Sequence, residues 1–239
     1  MTFDDIGEVY HDFSLLGLKT RQLPGIFAPN QRVKAPVIQA YILLALAKVA
    51  CEGSPATFAE LFCADGYYAM FARTFGASRA VGIDSDRDGY LASAETIRAA
   101  LDLDGVEFRK QDVRQLGRDE RFAIVANVGG LYHVEDPEQI LDLSYALCER
   151  FLIVQNVVSM ANDDPDYFET PAPGLPWGSR YSRRSFDRML RSRDWRIVDS
   201  CFATLDANPR PEDRGSCFYL IEKPRASEAA IGQSVMQPR

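Results

Sequence analysis

Two acidic side chains and a turn of small residues near position 60 have the spacing of a nucleoside site. Ala56–Phe62 is apolar apart from Glu60, Cys63–Gly66 has the composition of a tight turn, and Asp84 ends a second apolar run. A small residue in such a turn lets the backbone approach a ligand, and an acid about 20 residues further on can bind both ribose hydroxyls. The first N–H groups of the following helix are further donors. The pattern predicts a βαβ unit with a nucleoside ligand at the Cys63–Gly66 turn and at Asp84.

The two histidines of the chain are the candidate bases. His133 follows Tyr132 just after the run Phe122–Val128, which is fully apolar apart from Asn127 and predicts a fourth strand. The tip of that strand lies beside the first strand in an open α/β sheet, at the crevice where ligands bind. A neutral imidazole there can take a proton from a hydroxyl or an amine. We therefore predict His133, Tyr132 and, from the N-terminal segment, His11 as catalytic residues; a helix-capping role for His133 is the alternative.

Three more residues stand at or near the ends of predicted strands, where a ligand contact is one interpretation. Asp112 and Val113 follow the third predicted strand, 106–109, and Asn127 lies near the end of the fourth. The carboxyl ends of parallel strands meet at one edge of the sheet. For Asp112, capping of its own loop is the alternative.

Seven arginines crowd positions 180–196. Arg183 and Arg184 stand at the start of a predicted helix, where a positive charge opposes the helix dipole, so helix stability does not explain them. Together with the free N–H groups they suit a carboxylate or phosphate of a substrate. The long loop before them, 159–181, carries aromatic residues that could line an acceptor pocket. We predict substrate contacts for Trp177, Arg180, Arg183 and Arg184, and for Arg188, Arg191 and Arg193 a solvated face paired to acids.

Hydrophobic periodicity predicts alternating strands and helices. The clearest helix is Pro36–Cys51, with Pro36 in the first turn and an apolar face, preceded by a loop, Gly17–Pro36, and a short helix within 6–16. The predicted strands are 56–62, 80–83, 106–109, 122–128, 151–158, 195–203 and 216–222, and the other helices are 67–75, 87–101, 138–148 and one after Ser182. We expect an N-terminal lid or docked segment in 1–35, one α/β domain in 36–224 and a disordered tail in 225–239.

Composition narrows the class of protein. The 239 residues carry a formal net charge of -7, which disfavours a general polyanion-binding surface. Five cysteines without a C-x-x-C pair indicate reduced thiols, with no disulfide frame and no metal site. Acids at positions 4, 5 and 8 replace the basic start of a signal peptide, and the longest apolar run, 37–50, is too short for a bilayer. We expect a cytoplasmic protein without a membrane partner; the sequence indicates no oligomeric state.

Two motifs carry a family resemblance. Glu60-x-x-Cys63-x-x-Gly66 resembles the first motif of class I S-adenosylmethionine (SAM) methyltransferases, and Leu131-Tyr132-His133 before Asp136-Pro137 is similar to their segment after strand four. The resemblance covers residues 36–223. It implies an α/β Rossmann-like sheet of seven strands with the last antiparallel and helices on both faces. It also implies SAM as cofactor and S-adenosylhomocysteine (SAH) as product. The SAM contacts that it implies are Glu60, Cys63, Ala64, Gly66, Asp84, Ser85, Asp112, Val113 and Asn127.

A narrower likeness is to the bacterial tRNA wobble-uridine family that transfers a carboxymethyl group from carboxy-SAM. Tyr10-His11 and Gly66-Tyr67-Tyr68 echo its motifs, and Lys34, Tyr132 and Arg214 match by position the groups around its cofactor carboxylate. That family has a basic RNA surface, whereas this chain is acidic. We therefore favour methyl transfer to an O or N atom of a small-molecule or saccharide-type acceptor that carries an anionic group, with Lys34 and Arg214 as further substrate contacts. Carboxymethyl transfer to tRNA and a non-catalytic SAM-binding protein are the alternatives.

Overall fold

The structure is a computed structural model that describes residues 6–224. The predicted disordered tail, 225–239, lies outside the described residues, as do residues 1–5.

Seven strands form one mixed sheet. They are β1 (Thr57–Leu61), β2 (Arg79–Asp84), β3 (Val106–Lys110), β4 (Phe122–Val128), β5 (Cys148–Val158), β6 (Arg196–Thr204) and β7 (Gly215–Glu222). Their order across the sheet is β6-β7-β5-β4-β1-β2-β3. Strands β1 to β5 run parallel, and β7 is antiparallel to both of its neighbours. From β1 the chain adds β2 and β3 on one side of the sheet and then β4 and β5 on the other, so β1 and β4 flank the topological switch point. Their carboxyl ends are therefore the expected place for a ligand.

Five helices cover the two faces of the sheet. They are α1 (Phe27–Cys51), α2 (Tyr67–Thr74), α3 (Leu91–Ala100), α4 (Pro137–Leu147) and α5 (Arg183–Arg191). Buried side chains of α1, α2 and α3 join one hydrophobic cluster, and those of α4 and α5 join the other. Strands β1, β4 and β5 contribute to both clusters because successive side chains point to opposite faces. This explains why β4 is apolar along its length apart from Asn127.

Helix α1 begins at Phe27, so the predicted start at Pro36 and the predicted loop Gly17–Pro36 were wrong. Pro36 lies inside the helix and is exposed. Burial of Ala35, Ile38 and Ile42 against the sheet outweighs the missing N–H and the ring clash of an interior proline. The proposed domain boundary at residue 36 therefore falls within one continuous helix.

Helix α1 also meets, by length and composition, the criteria for a membrane span, with a mean hydropathy of 1.5. The length argument from the run 37–50 was therefore wrong. One face of α1 packs on the sheet, with Ile38, Ile42 and Val49 in the hydrophobic cluster.

The chain before α1 crosses the sheet edge as a strap, defined here as residues 8–22. Instead of the predicted helix within 6–16 it contains a two-residue parallel pairing of Glu8–Val9 with Arg21–Gln22 and one 3-10 turn, Ser14–Leu16. Val9 and Phe13 are fully buried in the cluster under α1. The strap is therefore anchored by its own apolar side chains.

Candidate functional site

A cavity of about 840 Å³ opens at the carboxyl ends of β1 to β5, beneath the strap and the first turns of α1. Its volume lies within the range of about 300–1,000 Å³ that is usual for small-molecule sites. The predicted residues that line it are His11, Lys34, Glu60, Cys63, Ala64, Asp84, Ser85, Asp112, Val113, Tyr132, His133, Trp177 and Arg180. The structure thus brings most of the predicted site residues to one place.

Asp84 organises the β2 side of the cavity. Its Oδ2 accepts a hydrogen bond from the Ala64 N–H at 3.0 Å, and its Oδ1 accepts one from the Asp86 N–H at 2.7 Å. These two bonds fix the carboxylate against the turn after β1. Each oxygen keeps a second lone pair for a ligand hydroxyl.

Glu60 lies at the floor of the cavity and is almost fully buried. Its Oε2 accepts a hydrogen bond from the Ala69 N–H in the first turn of α2, at 2.7 Å. Burial raises the pKa of this carboxyl well above its usual range, more than the backbone hydrogen bonds lower it. Glu60 therefore occupies one of the helix donors that the sequence predicted to be free for a ligand.

The turn after β1 has backbone angles that usually require glycine. Phe62, Ala64 and Gly66 have φ of 59°, 48° and 71°. Positive φ costs about 1–3 kcal/mol at a non-glycine residue and is found where the surrounding structure enforces it. At Gly66 a side chain is excluded, because a Cβ would overlap the ring of Phe108. The glycine of the predicted motif thus serves packing against β3 and lies outside the cavity lining.

The strap is joined to this turn through Asp65, which is fully buried. The Asp65 carboxylate accepts hydrogen bonds from the His11 backbone N–H at 2.7 Å and from the His11 ring at Nδ1, 2.6 Å away. The His11 ring stacks on Tyr67 at 5.0 Å between centroids. Asp65 therefore holds His11 at the cavity wall.

His133 lies on the opposite wall, in a 3-10 turn that spans Leu131–His133. Its ring stacks on Trp177 at 5.3 Å and packs against Tyr132 at 4.2 Å. The side chain is open to the cavity, yet the surrounding protein desolvates it, and desolvation followed by the charge of Arg180 lowers the pKa of His133 to about 4. At neutral pH this imidazole is uncharged.

Arg180 is a buried cation at the same wall. Its Nη2 lies 2.6 Å from Oδ1 of Asp213, its Nη1 donates to the Tyr132 carbonyl at 3.1 Å, and its guanidinium stands over the Tyr132 ring. The ion pair with Asp213 offsets part of the cost of burying this cation. Arg180 therefore supports the segment that carries His133.

Lys34 projects into the cavity from the second turn of α1. Burial lowers the pKa of Lys34 to about 8, and among the described residues no carboxylate pairs with it. An unpaired, desolvated ammonium is costly and favours an anion beside it. The acids Asp84 and Asp112 lie at the β2–β3 side of the cavity. The charge of Lys34 acts instead on His133 at the β4 side, where it contributes to the lowered pKa of that imidazole.

Five predicted residues lie outside the cavity lining. Gly66 is described above, and Asn127 is buried in β4 with its amide donated to Ser144. Arg214 donates to the Asn208 and Pro209 carbonyls. Arg183 and Arg184 line a smaller cleft of about 380 Å³ beside β6 and β7.

The remaining three arginines form the ion pairs with acids that the sequence analysis predicted for them. Arg188 pairs with Asp166, Arg191 with Asp187, and Arg193 with Glu138 and Asp142.

Several lining residues were missed by the sequence analysis. They are Tyr10, Tyr68, Tyr90, Gln155 and Arg210. Tyr10 packs on Phe27 at 4.9 Å and on Tyr90 at 5.8 Å. The echo of Tyr10 and Tyr68 in the resemblance was the available signal for those two; Gln155 and Arg210 left none.

Neither protein-family models nor curated protein sequences give a match to this chain. Among solved structures, magnesium protoporphyrin IX methyltransferase from Synechocystis PCC 6803 with bound SAH is similar, with 14% identity, coverage of 89% of this chain and 93% of that chain, and a TM-score of 0.58. The N-terminal domain of EvdMO1 with SAH bound shares 17% identity over 93% of both chains, with a TM-score of 0.60. Coclaurine N-methyltransferase bound to N-methylheliamine and SAH shares 11% over 76% of this chain and 72% of that chain, with a TM-score of 0.56.

These likenesses agree with the strand order, the antiparallel β7 and the helices on both faces described above. The predicted fold class is confirmed: the chain has the α/β, Rossmann-like fold of class I SAM-dependent methyltransferases.

Proposed function

We propose that this protein is a SAM-dependent methyltransferase that transfers a methyl group to an O or N atom of a small-molecule acceptor. The observation that carries the proposal is the single cavity at the carboxyl edge of the sheet, which joins the carboxylate of Asp84 to the neutral imidazole of His133. The solved structures with this fold that contain SAM or SAH support it.

The β1–β2 side of the cavity fits the nucleoside half of SAM. Asp84 is held by two backbone N–H groups and retains lone pairs for the ribose hydroxyls, and Asp112 lies beyond it at the tip of β3. Glu60, Cys63, Ala64 and Ser85 complete this wall, and Val113 lies beside Asp112. The bound cofactor would supply an electrophilic methyl group on a sulfonium.

The β4 side would hold the acceptor. His133 is unprotonated at neutral pH, so it can accept a hydrogen bond from an acceptor O–H or N–H and take that proton as the new bond to carbon forms. Its low pKa makes it a weak base, so its main contribution is alignment of the acceptor lone pair. Trp177 covers the imidazole and restricts its orientation.

Lys34 favours an acceptor that carries an acidic group. A carboxylate or phosphate bound beside its ammonium would complete the ion pair that the described residues leave open. Neighbours of the same fold act on different molecules, as the names magnesium protoporphyrin IX methyltransferase and coclaurine N-methyltransferase state. We therefore infer only the acidic group of the acceptor, and we infer it from Lys34 rather than from these neighbours.

Two alternatives make different predictions about the cofactor. Carboxymethyl transfer to tRNA requires a preference for carboxy-SAM, with Lys34 holding the cofactor carboxylate. A non-catalytic SAM-binding protein requires SAM binding without methyl transfer. The neutral His133 in the cavity favours catalysis over the second of these.

Parallel calorimetric titrations with SAM, SAH and carboxy-SAM test the proposal. We expect wild type to bind SAM and SAH, and Asp84→Asn to weaken both by at least about tenfold, since about 1.4 kcal/mol of ribose contact corresponds to that factor. The matched control is Asp199→Asn on the edge strand β6, where the carboxylate accepts only from the Tyr41 hydroxyl. Clear preference for carboxy-SAM, or no binding by folded protein, contradicts the proposal.

A panel of acceptor pairs tests the anionic group. Each pair consists of a carboxylic acid and its methyl ester, assayed with Lys34→Met and with the exposed control Lys48→Met. We expect Lys34→Met to lose activity on the acid and Lys48→Met to keep it, because of these two lysines only Lys34 faces the cavity. Equal use of acid and ester by wild type would remove Lys34 from acceptor recognition.

A further inference from the structure

The segment that carries His133 is held between two close approaches. On one side, a Cβ on Gly178 would overlap the carbonyl of Tyr132, so the 178–180 backbone lies directly against it. The Ser179 N–H donates to that same carbonyl at 3.2 Å. On the other side lies Gly130, whose missing side chain leaves room for the ring of Phe62.

Phe62 and Gly130 are complementary in shape. A Cβ on Gly130 would overlap Cγ, Cδ2 and Cε2 of the Phe62 ring. Gly130 itself has φ of -98° and ψ of -42°, a conformation that alanine adopts without strain. Position 130 therefore requires glycine because the Phe62 ring occupies the place of a side chain. The backbone conformation does not require it.

Phe62 reaches this place from a backbone that disfavours it. It follows β1 directly, has φ of 59°, is half-buried and lines the cavity. Strained residues of this kind cluster at functional sites, where the geometry they impose is used. The His133 N–H donates to the Gly130 carbonyl at 3.0 Å, so a shift of Gly130 moves the imidazole.

We propose that Phe62 is a positioning residue that holds the Gly130–His133 turn at the cavity wall through its packing on Gly130. The inference rests on the proposed function for its effect on rate, since it assigns Phe62 the alignment of the catalytic His133. It gives the strained residue of the turn a task separate from cofactor binding. The packing itself does not depend on any ligand.

The two histidines of the chain provide a direct readout. Their imidazole Cε1–H signals are titrated by NMR and assigned with His133→Gln and His11→Gln. The charged groups that face His133 are Arg180, Lys34, Arg87 and Asp88. These are unchanged in the variants below, so a change in its pKa reports a change in its position.

Three variants and one control form a cycle. We expect Gly130→Ala to raise the pKa of His133 by about one unit or more toward the ordinary value of about 6.5, because the displaced imidazole becomes hydrated. In the Phe62→Ala background, the same Gly130→Ala change should leave the pKa of His133 within about 0.3 units, because the ring is absent. Gly117→Ala is the matched control, since its Cβ meets no atom within 4 Å.

Activity and binding follow the same cycle. Gly130→Ala should lower kcat by at least about tenfold and change the SAH Kd by less than about threefold. In the Phe62→Ala background, Gly130→Ala should cause no further loss of kcat. If Gly130→Ala does not fold, Phe62→Leu takes its place, with a raised pKa of His133 and a lower kcat expected.

An unchanged pKa of His133 in Gly130→Ala or Phe62→Leu, or an equal effect of Gly130→Ala with and without the Phe62 ring, overturns the inference. The NMR cycle needs neither cofactor nor acceptor. Failure of SAM binding would therefore contradict the proposed function and leave the test of Phe62 intact.

Discussion

Glu60 and Glu107 show how position alone sets the chemistry of a carboxyl group. Glu60 is desolvated at the end of β1, and its pKa is raised well above the usual value. Glu107, on the edge strand β3, is half exposed and bonded to Arg109 and Arg79, which lower its pKa to about 2. The two residues should make stability depend on pH in opposite directions.

The first prediction is that Glu60→Gln becomes progressively more stable than wild type as pH rises. Below pH about 4.5 the carboxyl is protonated in both states, whereas above it the unfolded state ionises first and wild type loses stability until the folded pKa is reached. The glutamine oxygen still accepts from the Ala69 N–H. Urea unfolding from pH 4 to 8 measures this.

Glu107→Gln is the control of opposite sign. Wild type gains stability from Glu107 above pH about 4.5 and loses it as pH falls toward 2, so the variant is slightly less stable at neutral pH. A Glu60→Gln difference that shrinks as pH rises would show that Glu60 is ionised in the folded protein.

Among elements, the strap depends on one buried carboxylate. Asp65 receives both polar groups of His11 that face the turn, while Val9 and Phe13 supply apolar anchoring. We predict that Asp65→Ala lowers the free energy of unfolding by about 2–4 kcal/mol, because it leaves a buried donor without its charged acceptor. Trypsin should then cut faster at Lys19 and Arg21.

Asp65→Asn should lie between wild type and Asp65→Ala, since its amide oxygen can accept one of the two bonds. The control is Asp12→Ala in the same strap, which removes only exposed bonds to Ser14. Equal protection from trypsin in Asp65→Ala and wild type would mean that apolar contacts alone hold the strap.

Helix α1 carries a correctable defect. Pro36 donates no hydrogen bond to the Arg32 carbonyl, and an interior proline costs about 3 kcal/mol relative to alanine. We predict that Pro36→Ala raises the free energy of unfolding by about 1–3 kcal/mol. This range already allows for about 1 kcal/mol lost because alanine makes the unfolded chain less restricted. Thermal unfolding measures the gain, with Pro55→Ala in the loop before β1 as control. No gain would show that packing around Pro36 already offsets the missing hydrogen bond and the ring clash.

The limits of the sequence are visible in the same elements. Apolar runs located all seven strands to within a few residues; six of these strands contain buried residues, and the edge strand β6 is only half-buried at best. The start of α1 was missed because the rule for proline is local, while the helix is held by burial against β4, β5 and β7. Phe62 was passed over because its importance lies in a φ angle and in contact with a residue 68 positions away.

The site could be predicted where it follows from strand order. Asp84, Asp112 and His133 come directly after strands, and parallel strands bring their ends together. Arg210 and Gln155 reach the cavity from later parts of the chain whose placement depends on tertiary packing. Arg183 was predicted from helix position alone, and the helix faces a different cleft.

At the scale of the molecule, charge is spread rather than collected. The formal net charge is -7, and most arginines of the 180–193 stretch are paired with acids. A protein that binds tRNA gains affinity from phosphate neutralisation, with a steep dependence on salt. This surface offers few cations for it.

We therefore predict no binding of bulk tRNA at protein concentrations up to about 10 μM in about 0.15 M salt, a range in which basic RNA-binding surfaces are active. Fluorescence anisotropy of labelled tRNA at low and high salt measures this. Wild type with SAH added is the appropriate control for a cofactor-dependent surface. Tight, salt-sensitive binding would revive the carboxymethyl-transfer alternative.

Helix α1 has a consequence for how the chain is made. The helix is complete at Cys51, but the strands that it covers include β7, which ends at Glu222. At about 5–20 residues per second, ribosomes need roughly 10–35 s for the 171 residues from 51 to 222 (222 − 51). During that interval this long apolar helix is part of the nascent chain without the strands that it covers in the folded protein, so its apolar face is open to any factor that binds nascent hydrophobic segments.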